Sequence, residues 1–559
     1  MDIKVIAVIV CMLAVLIYAS YDAERKRRLK LEKRLRNSWG KPSDKKITQE
    51  EYEIISHYFK DYIQDKNEYI DDITWKDLNM DEVFRVMNTT NSSLGQEYLY
   101  KMLRCPDGDA GNLKKTDTLA KFFGKEEKKR FTIQKIFAKM GFAKYVSLSD
   151  YIGLIVELEQ KSNIFHYILL LLYVVAAAVC FVNPVCGVAG LIAVMVIAII
   201  SYYKMKADVE SYFICVIQIV KMINTSRDII ECNYKELDDY NKELEKLSEE
   251  CKGVISGSWL LETGDVNGSI VQVLLDYLRM ITHVDLIKFN GMAKNIRQKE
   301  NQIYNMYEVL GMIEASIAVA SFRQMLPYWS EPDFVSDKQY GIHAKDVYHP
   351  LIKNPVANSL ETKNNIILTG SNASGKSTFL RTIAINAVLS QSIYTSTSSE
   401  YVAPQYRIYS SMSLMDDLSN NSSYYIVEIR SLKRIIDAAC TGGKPVLCFV
   451  DEVLRGTNTV ERIAASSEIL KFISGKNVLC VAATHDIELT AILSKWYDNY
   501  HFQEEVTDDE VRFNYKLYKG PATTRNAIKL LNMMGYDKEI ITESEKRAAY
   551  FVENGVWKM

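Results

Sequence analysis

Gly370, Ser371, Asn372, Ala373, Ser374, Gly375, Lys376 and Ser377 fit the pattern G-x-x-x-x-G-K-[ST]. Glycines at both ends let backbone N–H groups curl around an anion, and a helix starting there adds partial positive charge. Lys376 would then reach β- and γ-phosphates, and the Ser377 hydroxyl would ligate Mg²⁺, with Thr378 closing the phosphate-binding run. Such a loop must join a strand to a helix. The sequence supplies both: "IILT" (366–369) precedes it, and Phe379, Leu380, Ile383 and Ala384 follow at helical spacing.

Two further strand-like runs end in groups that suit the same chemistry. "PVLCFVDE" ends in Asp451-Glu452. There Asp451 would hold the Mg²⁺ shell and Glu452 would orient or deprotonate an attacking water. A strand ending in two acids is weak by itself and strong after a phosphate loop. "NVLCVAATH" ends in Thr484-His485, a position from which an imidazole can sense a γ-phosphate. These residues predict an ATP- and Mg²⁺-using hydrolase, with Lys376, Glu452 and His485 catalytic.

The elements that carry them sit in a chain of 559 residues, enough for several domains and a large core. It is 48% hydrophobic and 25% charged, with a net charge of -2 that decides nothing about nucleic acid. Ten cysteines form no C-x-x-C pair, which argues against a zinc site or disulfide framework and for a reducing compartment.

Three stretches read as membrane spans. Residues 5–19 are uninterrupted apolar, and Arg25, Lys26, Arg27, Arg28, Lys30, Lys33, Arg34 and Arg36 follow them. The charge lies on the wrong side for a cleaved secretory signal, so an uncleaved anchor is expected, with everything after it cytoplasmic. That basic run suits anionic lipid headgroups, with DNA as the alternative. From Ile164, two apolar runs flank Asn183-Pro184, a turn signal, with Lys161, Lys204 and Lys206 outside them. They predict a transmembrane hairpin over 164–203 rather than a buried core hairpin, because neither run has a polar face. The expected location is the cell membrane, multi-pass.

The motif set resembles the ATPase domain of the MutS mismatch-repair family. The resemblance rests on Asn372 within the loop, "DEVLRGTNT" (451–459), "ATHDIEL" (483–489) and "MDDLSNNSSYYIVEIRSLKRII" (415–436). By that match Ser423 takes the place of a signature serine that completes the partner subunit's site, and Glu428 that of the acid after it. A homodimer with composite nucleotide pockets is therefore implied. Upstream, "IDDITWKDLNMDEVFRVMNTTNSSLGQEYLYKMLRCP" (70–106) looks like the start of the family's core or lever domain, with Thr74, Leu78 and Gly95 at matching places. "YHPLI" (348–352) and "GPATTRNAIKLLNMMGYDKEII" (520–541) resemble segments flanking the ATPase.

The sequence departs from the family in two ways. Its loop reads "NASGKST" where mismatch-repair members have N-M-G-G-K-S-T, and Leu454 stands where they have Gly. Only the anchor and a basic linker precede the core match, so single-mismatch discrimination is not expected.

The expected fold is a mainly α-helical core with transmembrane helices, plus an α/β P-loop ATPase domain of ABC-like type. The borders are 1–47 for anchor and linker, 48–335 for the helical core, 336–520 for the ATPase and 521–559 for a helical tail. The apolar runs and the resemblance together imply a membrane-anchored ATPase, with DNA as its partner by the resemblance. The alternative is a membrane ATPase acting on a protein or lipid partner.

Overall fold

The computed structural model describes the chain except residues 1–2, 64–67, 107–109, 144–145, 262–269, 336–340, 372–373, 413–423, 507–510, 523–527, 529–530, 532–533 and 558–559. It describes the backbone alone at 3–17, 20, 110, 270–275, 424, 505–506, 511 and 552. Two compact units emerge. One comprises residues 1–65, 86–101 and 118–324, the other 66–85, 102–117 and 325–559.

The first unit is helical. Its central helix, Glu300–Met325, is buried along most of its length and packs around the carboxyl groups of its own Glu308 and Glu314 and of Glu97 on the helix Ser93–Arg104. Glu314 is buried beside Gly95, and an added Cβ there would lie 2.1 Å from its Oε2. The Asn91 N–H donates to Glu314 at 2.5 Å, and the Ser92 hydroxyl donates as well. Gly311 makes a second close approach, since its Cβ would meet the Tyr98 ring at 2.5 Å. Glu308 accepts from the Tyr58 hydroxyl and from Lys101 at 3.1 Å. Glu97 accepts from the Leu148 N–H at 2.9 Å and from the Tyr307 hydroxyl at 2.8 Å. Burial pushes the Glu97 carboxyl up to about 8 and the Glu314 carboxyl up to about 7.

The helices Ile164–Val182 and Pro184–Ala207 form the expected hairpin, the second running a turn beyond the predicted end. Asn183 caps it, its side chain accepting from the Cys186 N–H at 3.2 Å, and Pro184 opens the next helix, where it needs no donor. Both helices are long and apolar enough to cross a membrane. Their apolar side chains face outward: Phe181 is 93% exposed and Val182 88%. A soluble core hairpin would bury that surface. The first apolar run and the basic run behind it share one unbroken helix, Ile3–Ser38.

Among the described residues, the second unit holds ten strands in two sheets. β1 (Asp333–Phe334), β2 (Ile342–Val347), β3 (Asn358–Thr362) and β5 (Glu400–Ala403) form one, in the order β1-β5-β2-β3. The other contains β4 (Asn365–Thr369), β6 (Arg407–Ser411), β7 (Val446–Asp451), β8 (Val478–Ala483), β9 (Tyr497–Val506) and β10 (Val511–Lys519). Its order is β10-β9-β4-β8-β7-β6, parallel throughout except for β10. Strands β4 and β8 are buried at every residue, as parallel strands covered on both faces must be.

The unit borders depart from the sequence-based ones at 66–85 and 102–117, which join the sheet-bearing unit. The reason is polar. Asp77 accepts from the Ser410 hydroxyl at 2.7 Å and the Met412 N–H at 2.9 Å, and Thr74 accepts from the Ser410 N–H at 3.1 Å. These bonds finish the β6 edge.

The two raised carboxyls give the first unit a pH dependence with a definite sign. Folded Glu97 and Glu314 keep protons that the unfolded chain releases near 4.5. Their stabilising effect is complete below that value and is lost as pH rises toward about 8. Thermal melting should therefore fall by several degrees between about pH 5 and about 8, and Glu97→Gln should flatten the slope. A wild-type melting temperature that rises over that interval contradicts the assignment.

Candidate functional site

The cavity at the carboxyl ends of the parallel strands has a volume of about 530 Å³. Lys376, Ser377, Asp451, Glu452 and His485 all line it, with Ser371, Gly375 and Thr378. They come from the ends of three strands: β4 with its following helix Lys376–Ile393, β7, and β8. Their meeting is fixed by register, since Ala483 of β8 pairs with Leu368 on one side and Asp451 on the other.

The loop after β4 is shaped by its glycines. Gly370 has φ +146° and Gly375 φ +106°, conformations that side chains rarely adopt. A Cβ on Gly370 would also lie 2.7 Å from the Phe502 carbonyl of β9. The buried Ser374 hydroxyl makes no hydrogen bond among the described residues, which leaves a donor over inside the loop. Lys376 donates to the carbonyls of Gly370 and Ser371, both at 2.8 Å, and so holds the loop curled. Burial pulls the Lys376 ammonium below its usual range, against the raising effect of Asp451, Glu452 and Glu504. Asn372 and Ala373 lie outside the described residues.

Asp451 accepts from the Ser377 hydroxyl at 2.5 Å. Burial pushes its carboxyl up, and the Ser377 bond pulls the other way. A hydroxyl and a carboxylate touching beneath a lysine form an oxygen donor pair of the kind Mg²⁺ accepts. An ammonium, an unspent hydroxyl and a helix N-terminus suit a polyphosphate. The donor set thus fits a magnesium nucleotide.

Glu452 sits at the strained point. Its φ is +55°, and its carboxylate lies 2.9 Å from His485 Nε2 and 3.0 Å from Arg455 Nε. Burial and the Lys376 charge pull the His485 imidazole below its usual range. A neutral ring carrying its proton on Nε2 donates to Glu452, so the Lys376 ammonium 3.5 Å from that nitrogen has no lone pair to meet there.

Leu454 occupies φ +58°, which explains why a glycine suits the position. Its side chain is buried in the cluster of Leu432, Val453 and Leu470, and that burial offsets backbone strain of about 1–2 kcal/mol. The turn is held from behind by Glu428, on the helix Tyr424–Cys440. Glu428 accepts from the Leu454 N–H at 2.5 Å and the Arg455 N–H at 3.3 Å. Burial pushes the Glu428 carboxyl up. Ser423, one residue before that helix, lies outside the described residues.

Several lining residues were not picked out as site residues. His349, just after β2, loses basicity to burial and to the Arg381 charge, down to about 4. Behind the lining, Glu504 of β9 accepts from the Ser371 hydroxyl at 2.8 Å. Tyr515 has φ +53° at the register shift of β10, and a Cβ on Gly375 would meet its ring at 3.2 Å. The only signal for His349 was the "YHPLI" segment; Glu504 and Tyr515 had none.

Residues 366–551 match the family model described as MutS domain V. Over 270 residues the chain is 28% identical to the DNA mismatch repair protein MutS of Pseudothermotoga lettingae. That alignment covers 46% of this chain and 32% of the relative, so the chain spans about a third of the relative's length.

Removing the Glu428 acceptor should be felt at the turn rather than at the phosphate loop. Glu428→Ala strands two amides, costing about 1–3 kcal/mol per unsatisfied group. Turnover at this cavity should fall about tenfold or more, with ligand affinity within a few-fold of wild type. Single-turnover assays with parallel binding titrations check this, and equal losses in both would refute a role confined to the turn.

Proposed function

Because the chain belongs to the MutS family through its domain V, we propose that it binds and hydrolyses ATP with Mg²⁺ as a dimer at a membrane. The observation that carries this reading is the convergence of Lys376, Ser377, Asp451, Glu452 and His485 on one cavity. Lys376 exchanges its two loop carbonyls for phosphate oxygens when nucleotide enters. Ser377 and Asp451 would hold Mg²⁺, which supplies charge neutralisation at the transferring phosphoryl group. Glu452, oriented by His485 and Arg455, holds the attacking water and accepts its proton. His485, neutral and donating to Glu452, fixes the carboxylate's direction.

The partner is DNA on this reading, supported by the mismatch-repair relative. Ser423 completes the opposite subunit's pocket, as the family resemblance implies. Lys376→Ala should lose most ATP affinity, whereas Glu452→Gln should bind ATP and hydrolyse it at least about a hundredfold more slowly. Added duplex DNA should stimulate the wild-type rate, and a mixture of Lys376→Ala with Ser423→Arg should regain activity. Equal ATP affinity in wild type and Lys376→Ala overturns the nucleotide assignment. A rate indifferent to DNA favours the protein- or lipid-directed alternative.

The exposed apolar hairpin supports insertion in the cell membrane. Flanking Lys161, Lys204 and Lys206, with the basic run behind residues 5–19, orient the nucleotide cavity to the cytoplasm. A reporter inserted at Asn183 should behave as external, and one fused after Met559 as cytoplasmic. The reverse labelling pattern removes both the topology and the access to ATP.

A further inference from the structure

A second cavity, of about 290 Å³, lies in the helical unit between the end of the helix Ile3–Ser38 and the helix Glu127–Met140. Arg36, Lys125 and Arg130 line it, against one carboxylate, Glu127. Arg130 is the centre of the site. It is 6% exposed, its guanidinium lies 3.5 Å from the Trp39 ring centroid, and one terminal nitrogen donates to the Phe123 carbonyl at 2.8 Å. Its Nε is buried and makes no hydrogen bond among the described residues. Burial lowers the basicity of this guanidinium, and Glu127 offsets that only in part.

A buried guanidinium without a carboxylate bonded to it is costly, and the cost is recovered when an anion meets it. Nε, one of the two donors that grip phosphate in a side-on fork, is the one left without a partner among the described residues. Trp39 clamps the plane of the group, so the fork is held in place before any ligand arrives. Arg36 adds a mobile charge: it is 3.7 Å from Glu127, with both side chains more than half exposed. Lys125 makes no ion pair among the described residues.

Distance decides between the sources of phosphate. If residues 5–19 cross the membrane, the helix carries Arg36 about 25 Å beyond Ala19 at ~1.5 Å per residue. The other route agrees. The helix Glu210–Glu231 leaves the hairpin, Lys139 bonds Asp228 near its far end at 2.9 Å, and Lys129 bonds Glu236 beyond it at 2.6 Å. Arg130 is next to Lys129. A headgroup layer only about 5–8 Å thick does not reach that far.

We propose that this cavity binds a soluble, phosphate-bearing small molecule, separately from the nucleotide cavity of the other unit. The exclusion of lipid rests on the membrane reading above; the fork and its charges do not. The test uses the full chain in detergent, carrying Lys376→Ala so that the nucleotide cavity does not compete. Inorganic pyrophosphate is the probe, followed by calorimetry and by tryptophan emission, with Trp39→Phe identifying the responding ring.

Saturable binding is expected, with a Trp39-dependent emission change. Arg36→Glu combined with Lys125→Glu should weaken it at least tenfold without altering the melting temperature. Arg130→Lys, which keeps charge and removes the fork, should weaken it as well. Unchanged pyrophosphate affinity in the double variant overturns the proposal. So does a double variant that loses binding to phosphatidylglycerol nanodiscs or to duplex DNA while pyrophosphate fails to compete for either.

Discussion

The position of β8 between β4 and β7 is the constraint on which the cavity at the strand ends depends. Ala483 faces Leu368 on one neighbour and Asp451 on the other, so three strands end level with one another. Only then can the Ser377 hydroxyl reach Asp451, and His485 reach Glu452. A slip of one residue in either ladder would turn the side chains at that end to the opposite face of the sheet. Burial on both faces prevents the slip, because every residue of β4 and β8 is already packed.

Around that fixed edge the sequence spends strain. Glu452 and Leu454 both adopt left-handed backbone, and neither is glycine. Non-glycine residues persist there only when their surroundings over-determine them. Three contacts do so: the Glu428 carboxylate on the Leu454 and Arg455 amides, the burial of Leu454, and the His485–Glu452 pair. Glu428 belongs to the helix that follows the serine segment. Glu428 lies about one turn into the helix Tyr424–Cys440, so that helix bears directly on the turn that carries Glu452.

The helical unit follows a different logic. Its packing tolerates buried carboxylates because Gly95 and Gly311 let two helices approach until backbone and hydroxyl donors surround them. The same unit carries the exposed apolar hairpin and the buried, half-bonded Arg130. Glu97 and Glu314 find donors where they fix helix contacts. Arg130 is left unspent at a cavity.

The sequence alone determined the placement that is local. Lys376, Ser377, Asp451, Glu452 and His485 were legible because each sits at a fixed offset from an apolar strand, and strand ends in such folds meet at one edge. The hairpin was legible too, since length and apolarity need no partner. Tertiary structure decided what depends on distant chain segments. Tyr515 enters the cavity, and Glu504 reaches Ser371 of its lining, only because β9 pairs with β4 and β10 shifts register. Residues 66–85 join the sheet because Thr74 and Asp77 happen to meet β6. Glu97, Glu314 and Arg130 look like ordinary surface charges in a helical pattern. Their burial comes from glycines and aromatic rings elsewhere in the unit, and no local periodicity encodes that.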